Sequence, residues 1–172
     1  MNQVFSVECK SLISKSREIA INLGYDYIST VHFFLADCES DSPLSIKKFA
    51  FVDNSDYIKF KNQYTLDQIN YLDHIDDSIP LTKEAESAIR LGEKERKVSG
   101  SDMTYPFHII IASFKTENSV LADCFRNDPN VVDKLITYYK DLGVLEPKTI
   151  TVNEIMSKQT NPFNFLLRIF KK

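Results

Sequence analysis

Three groups of residues in this sequence are of the types that do chemistry. Asp73, His74, Asp76 and Asp77 bring oxygen and nitrogen donors close together, a set that can hold a divalent cation. Their spacing matches no standard metal loop, however, and an acidic run is ordinarily a solvated face. His32 and His108 could be read as a metal-binding or catalytic pair. Each opens an apolar stretch, VHFFLADC and FHIIIASF, where an imidazole bonds backbone groups near the turn. Cys9, Cys38 and Cys124 could include a nucleophile, but no base and orienting residue can be assigned to any of them. Cys38 and Cys124 lie in apolar helical surroundings, where a thiol packs as a small hydrophobe. An odd number of cysteines without a CxxC pair argues against a disulfide framework or a structural zinc. No GxxxxGK[ST] loop is present to cradle a nucleotide phosphate. The expectation is a chain with no catalytic residue, no cofactor and no metal.

Those residues must be carried by a fold, and composition narrows which. The chain has 172 residues, 43% hydrophobic and 26% charged, the profile of a globular protein with one real core. Only 4 Gly and 6 Pro occur, which favours long regular elements over many tight turns, so helix is the first expectation. A net charge of −3 supplies no field to recruit nucleic acid. Glu8 and Lys10 interrupt the opening residues, which lack the apolar run of a leader, and no stretch approaches a membrane span. The cytoplasm is the expected location.

The strongest signal is an internal repeat. SVECKSLISKSREIAINLGYDYISTVHFFLA, residues 6–36, aligns without a gap onto TKEAESAIRLGEKERKVSGSDMTYPFHIIIA, residues 82–112, at a shift of 76 (82 − 6). Ser6 and Thr82 can cap the first helix of each copy. Leu12, Ile13, Ile19, Ala20 and Leu23 then recur at helical spacing, as do Ala85, Ala88, Ile89 and Leu91. Gly24 and Gly100 stand where a helix ends in positive φ. Thr30 can cap the second helix of copy one, and Pro106 can open that of copy two. These second helices are apolar nearly all round and belong in the middle of the fold. Further helices are expected over 43–51 and 55–61 in copy one, and over 120–125 and 131–140 in copy two. The fold class is all-α: an eight-helix pseudo-dyad bundle of two four-helix repeats, about 5–62 and 81–143. A connector over 63–80 joins them, and residues 1–143 form the double repeat.

Residues 144–172 read as a linker and an amphipathic C-terminal helix. Phe163, Leu166, Leu167 and Phe170 fall at i, i+3, i+4 and i+7, behind an Asn161 cap and Pro162. Arg168, Lys171 and Lys172 suit the end of such a helix. The stripe can fold back on its own domain, dock in a partner's groove or rest on a membrane surface.

The opening FS, INLGYDYISTVHFFLA, IPLTKEAESAI and VSGSDMTYPFHIIIA together resemble the amino-terminal domain of the Clp (Hsp100) unfoldases. The resemblance covers about residues 4–143. It implies a non-catalytic docking domain that receives substrates or adaptors for an ATPase ring absent from this sequence. The implied partner is a Clp-type ATPase, its substrate, or both. In some members the acid of the Thr-Glu-His turn in each copy receives phosphorylated arginine. Val31 and Phe107 stand at those positions and cannot pair with a guanidinium. Other members hold unfolded segments in an apolar groove between the copies, and by position Ser6, Ile89, Leu91 and Phe107 would border it. Glu95 stands where one relative has an apolar groove residue. The alternatives are an interaction component of a larger assembly, such as a secretion apparatus, with one fixed partner, and the leading domain of a longer Clp ATPase.

Overall fold

The computed structural model describes residues 4–51, 53–65 and 79–145. Among them are eight α-helices: α1 (Val7–Asn22), α2 (Thr30–Cys38), α3 (Lys47–Ala50), α4 (Asn54–Gln63), α5 (Lys83–Val98), α6 (Pro106–Lys115), α7 (Val120–Cys124) and α8 (Val131–Asp141). The chain is all-helical over these residues, as the sequence leads one to expect. Helices α1 and α5 begin and end 76 residues apart (83 − 7 and 98 − 22), and α2 and α6 begin 76 apart (106 − 30). The stretch that suggests a further helix beyond residue 145, and the acidic cluster at 73–77, lie outside the described residues.

Local chemistry sets the helix ends. The Ser6 and Thr82 side chains accept the amides of Cys9 and Ala85, at 3.1 and 3.2 Å, one turn into α1 and α5. Gly24 and Gly100 turn the chain out of those helices at φ 90° and 68°, a region an L side chain enters only with strain.

The pseudo-dyad is written into the backbone. The residues before α1 pair with the turn before α6: Ser6 N–H donates to Thr104 O (3.0 Å) and Thr104 N–H to Val4 O (2.8 Å). The residues before α5 pair in the same way with the turn before α2: Thr82 N–H donates to Ile28 O (2.9 Å) and Ile28 N–H to Pro80 O (2.8 Å). Each pair becomes the other under the 76-residue shift, so each copy holds the turn that launches the other's central helix.

Those central helices form the core. All nine residues of α2 are buried, and 107–114 of α6 are buried. Helix α5 lies against α6, and the residues it buries are Ala85, Ala88 and Gly92. A Cβ on Gly92 would sit 2.7 Å from Ile109 Cδ1 and 3.4 Å from His108 O, so this contact needs a glycine or a shifted Ile109.

Two expectations are corrected. Helix α2 begins at Thr30, with Ser29 as its N-cap residue. Thr30 Oγ1 is turned instead to copy two, where it accepts the Leu121 amide (3.1 Å) and bonds Ser119 Oγ (3.0 Å). The third helix covers only Lys47–Ala50 of the expected 43–51, because Asp37 ties down the preceding turn. Its Oδ2 accepts Ile46 N–H and its carbonyl accepts Ser45 Oγ–H, both at 2.6 Å.

Candidate docking cavities

The histidines are built into the fold. Nδ1 of His32 accepts the Ser29 amide at 2.9 Å, and Nδ1 of His108 accepts the Tyr105 amide at 3.0 Å. Each imidazole thus closes the start of its own central helix, and the proton is placed on Nε2. In copy two that proton reaches Ser99 Oγ at 2.8 Å. In copy one the mate of Ser99 is Leu23, and His32 Nε2 has no hydrogen-bond partner among the described residues. The Tyr25 ring instead packs edge-on against that imidazole, with centroids 4.8 Å apart.

Burial pushes His32 down to about 4. Burial, with Arg96 nearby, pushes His108 down to about 4. Both are neutral at pH 7 and poor candidates for proton transfer there. A consequence follows for stability. The folded values lie below the ordinary 6.5, so this contribution is whole above pH 6.5 and is lost as pH falls through 4. Asp37 acts in the opposite sense. Burial pushes it up to about 6 against the pull of the Ile46 amide, so its contribution is present at low pH and lost as pH rises through 6. Denaturant midpoints should therefore fall between pH 6.5 and pH 4. Asp37→Asn should make that fall steeper, which equilibrium unfolding at a series of pH values would show.

Neither buried cysteine is poised to react. Burial, with Glu8 adding to it, pushes Cys9 up to about 12, and burial raises Cys38 further. Cys124 is half-buried and bonds the Tyr64 hydroxyl at 2.6 Å. Among the described residues no cluster of His, Cys, Asp or Glu could hold a metal ion.

What the surface does offer is a duplicated pair of cavities. One, of about 550 Å³, is walled by Lys83, Glu84, Ser87 and Leu91 of α5 and by Lys115, Thr116, Glu117 and Asn118 at the end of α6. The other, of about 430 Å³, includes Val7, Glu8, Ser11 and Lys15 of α1 and Glu39, Ser40, Asp41 and Ser42 after α2. Every one of these eight stands 76 residues before a wall residue of the first cavity. The repeat has therefore duplicated a surface as well as a core.

The two have diverged in charge. The first holds two lysines and two glutamates. The second adds Leu12, Ala36, Asp37 and Pro106, and sets Glu8, Glu39 and Asp41 against a single Lys15. Glu39 is engaged by Lys61, by Tyr57 and, at 3.6 Å, by Lys15. In the first cavity Glu84 reaches across the dyad. Its Oε1 accepts the Thr30 amide at 2.9 Å, so an α5 carboxylate sits on the N-terminus of α2. In the second cavity Pro106 offers no amide for Glu8 to accept.

The residues singled out in sequence are distributed as follows. Leu91 lines the first cavity. Ile89 is half-buried against the core. Ser6 and Phe107 are buried, at 3% and 4% exposed, and Phe107 packs on Tyr105, His108 and Tyr139. Val31, like Phe107, is a buried apolar residue, so neither position presents a carboxylate. Glu95 is held by Lys115 through both its oxygens at 3.0 Å. Phe163, Leu166, Leu167 and Phe170 lie outside the described residues. Among the described residues no helix is long and apolar enough to cross a membrane.

Comparison with known proteins follows the same lines. Residues 4–128 match the family model of the Clp repeat (R) N-terminal domain. Among solved structures, the chain is similar to the N-terminal domain of the caseinolytic protease associated chaperone ClpD from Arabidopsis thaliana. That similarity has a TM-score of 0.60 and 14% identity, over 81% of this chain and 94% of that one. It is also similar to a structure from preliminary investigations of a malarial protein secretion system. There the TM-score is 0.63 at 13% identity, over 87% of this chain and 98% of that one. At such identities the likeness is one of fold. No curated protein matches the sequence.

Proposed function

The chain belongs to the Clp repeat N-terminal domain family, and from that membership we propose that it is a non-catalytic docking module serving a Clp-type AAA+ unfoldase or protease system. It binds protein segments, as an adaptor or as the substrate-docking domain, in the cytoplasm. The family match over residues 4–128 carries this reading. The surface features agree with it: duplicated cavities, histidines committed to capping, and buried, unactivated thiols at Cys9 and Cys38.

The proposed contact is centred on Leu91; Ser6, Ile89 and Phe107, which the resemblance names with it, are buried or half-buried and would have to be uncovered for a segment to reach them. Of these, Leu91 has its side chain at a cavity wall. The stripe of Phe163, Leu166, Leu167 and Phe170 is a second contact, and two contacts on one chain let it bridge cargo and machine by effective concentration.

A second reading is a fixed-partner component of a larger assembly, in keeping with the fold it shares with a structure from work on a secretion system. The leading domain of a longer Clp ATPase is a third. Binding to a panel of denatured proteins separates the first two. A docking module for cargo should bind many of them weakly, and Leu91→Asp should weaken all of them together. A chain that ignores every denatured protein and holds one folded partner tightly would contradict cargo docking and leave the assembly reading.

A further inference from the structure

A third cavity, of about 320 Å³, lies in copy two between the end of α5, α6 and α8. Its walls are largely apolar: Val98, Ile111, Ile136 and Leu145. Val98 is 83% exposed at its rim, apolar surface that a neighbour would gain by covering. Glu95 and Lys115 at the edge neutralise each other, which leaves Lys140 as the remaining charge of the lining. An apolar ligand suits such a cavity better than a charged one.

Leu145 is both a wall of this cavity and the last described residue, so the sequence that follows starts from the cavity itself. The sequence that follows carries the stripe of Phe163, Leu166, Leu167 and Phe170, with Arg168, Lys171 and Lys172 off that face. From Leu145 to Phe163 there are 18 steps of chain (163 − 145), an extended reach on the order of 60 Å. A tether of this kind holds a segment near its site at roughly millimolar effective concentration, so a weak intrinsic affinity is enough for occupancy.

We propose that residues 163–170 of this chain dock in the cavity walled by Val98, Ile111, Ile136 and Leu145. The occupant is the chain's own segment, chosen by its start at Leu145 in the cavity wall, by its reach and by its apolar face. Docked there, the stripe is kept from a partner, so any partner that takes the stripe competes with the chain's own cavity. The docking itself stands apart from the identity of that partner.

The sequence contains no tryptophan, so Val98→Trp places a single fluorescent reporter at the cavity rim. In the full chain its emission should be blue-shifted and several-fold protected from iodide quenching. Adding Phe163→Asp and Leu167→Asp should remove both effects, with the helical circular dichroism unchanged. Ile136→Asp, which alters the cavity and leaves the segment intact, should expose the reporter to the same degree. Equal quenching in all of these chains would overturn the proposal. Protection that fades on dilution would overturn it too, because the segment would then occupy the cavity of a second copy.

Discussion

Replacing Phe34 with alanine is expected to lower the unfolding free energy by about 3–5 kcal/mol, the usual range for a buried phenylalanine. Phe34 is fully buried in α2 and meets four other rings edge-on. Phe51 and Phe60 come from copy one, at centroid distances of 5.9 and 5.4 Å. Phe114 and Phe125 come from copy two, at 6.3 and 5.6 Å. The alanine therefore opens a cavity where the copies meet and removes four favourable edge contacts. Against a total of about 5–15 kcal/mol for a domain, that loss takes a large share of the stability. Denaturant titration measures it directly, and Phe34→Leu should lose distinctly less. A loss below about 1 kcal/mol for the alanine would mean that the copies do not share this core.

Thr30→Val should be the next most damaging change, at about 2–4 kcal/mol. The substitution keeps the branched shape and deletes a hydroxyl at the dyad. Thr30 Oγ1 accepts the Leu121 amide and bonds Ser119 Oγ, and all three groups are buried. Valine leaves the buried Leu121 amide without a partner, at about 1–3 kcal/mol, and removes one bond of about 0.5–1.5 kcal/mol from Ser119 Oγ, which keeps the Ala122 amide. Because one network joins these residues, Thr30→Val and Ser119→Ala should combine to less than the sum of their separate losses. Additive losses would show that the two hydroxyls are independent, contrary to the geometry.

What could be read from the sequence was whatever depends on local geometry. The caps Ser6 and Thr82, the terminators Gly24 and Gly100, and the histidines that close the central helices each act within a few residues, so their order and spacing survive where identity between the copies does not. The two nearly all-apolar helices also revealed their burial directly. What depends on distant partners was hidden. In Ser29-Thr30 either residue can cap a helix, and only the fold shows that Thr30 is spent on Leu121 and Ser119. The shortening of α3 comes from Asp37, nine residues before the amide it accepts. Glu84 stands in the first turn of α5 and sits on the start of α2, 54 residues away in sequence. Gly92 did carry a signal. A glycine in the middle of a helix asks for a reason, and the reason is Ile109 pressed against it. The site was less legible than the fold. Of the described residues named for the groove, Leu91 lines a cavity, Ile89 is half-buried, and Ser6 and Phe107 are buried. A pattern of apolar residues marks which ones avoid water without showing which few stay at a surface.

The most direct test of the docking account is a pull-down from native lysate with the full chain as bait, beside the same chain carrying Leu91→Asp and one carrying Phe163→Asp and Leu167→Asp. The account predicts enrichment of a Clp-type ATPase by the unaltered bait, reduced in at least one of the altered baits. Capture of a single non-Clp protein by all three baits alike, with no unfoldase among the captured proteins, would contradict it.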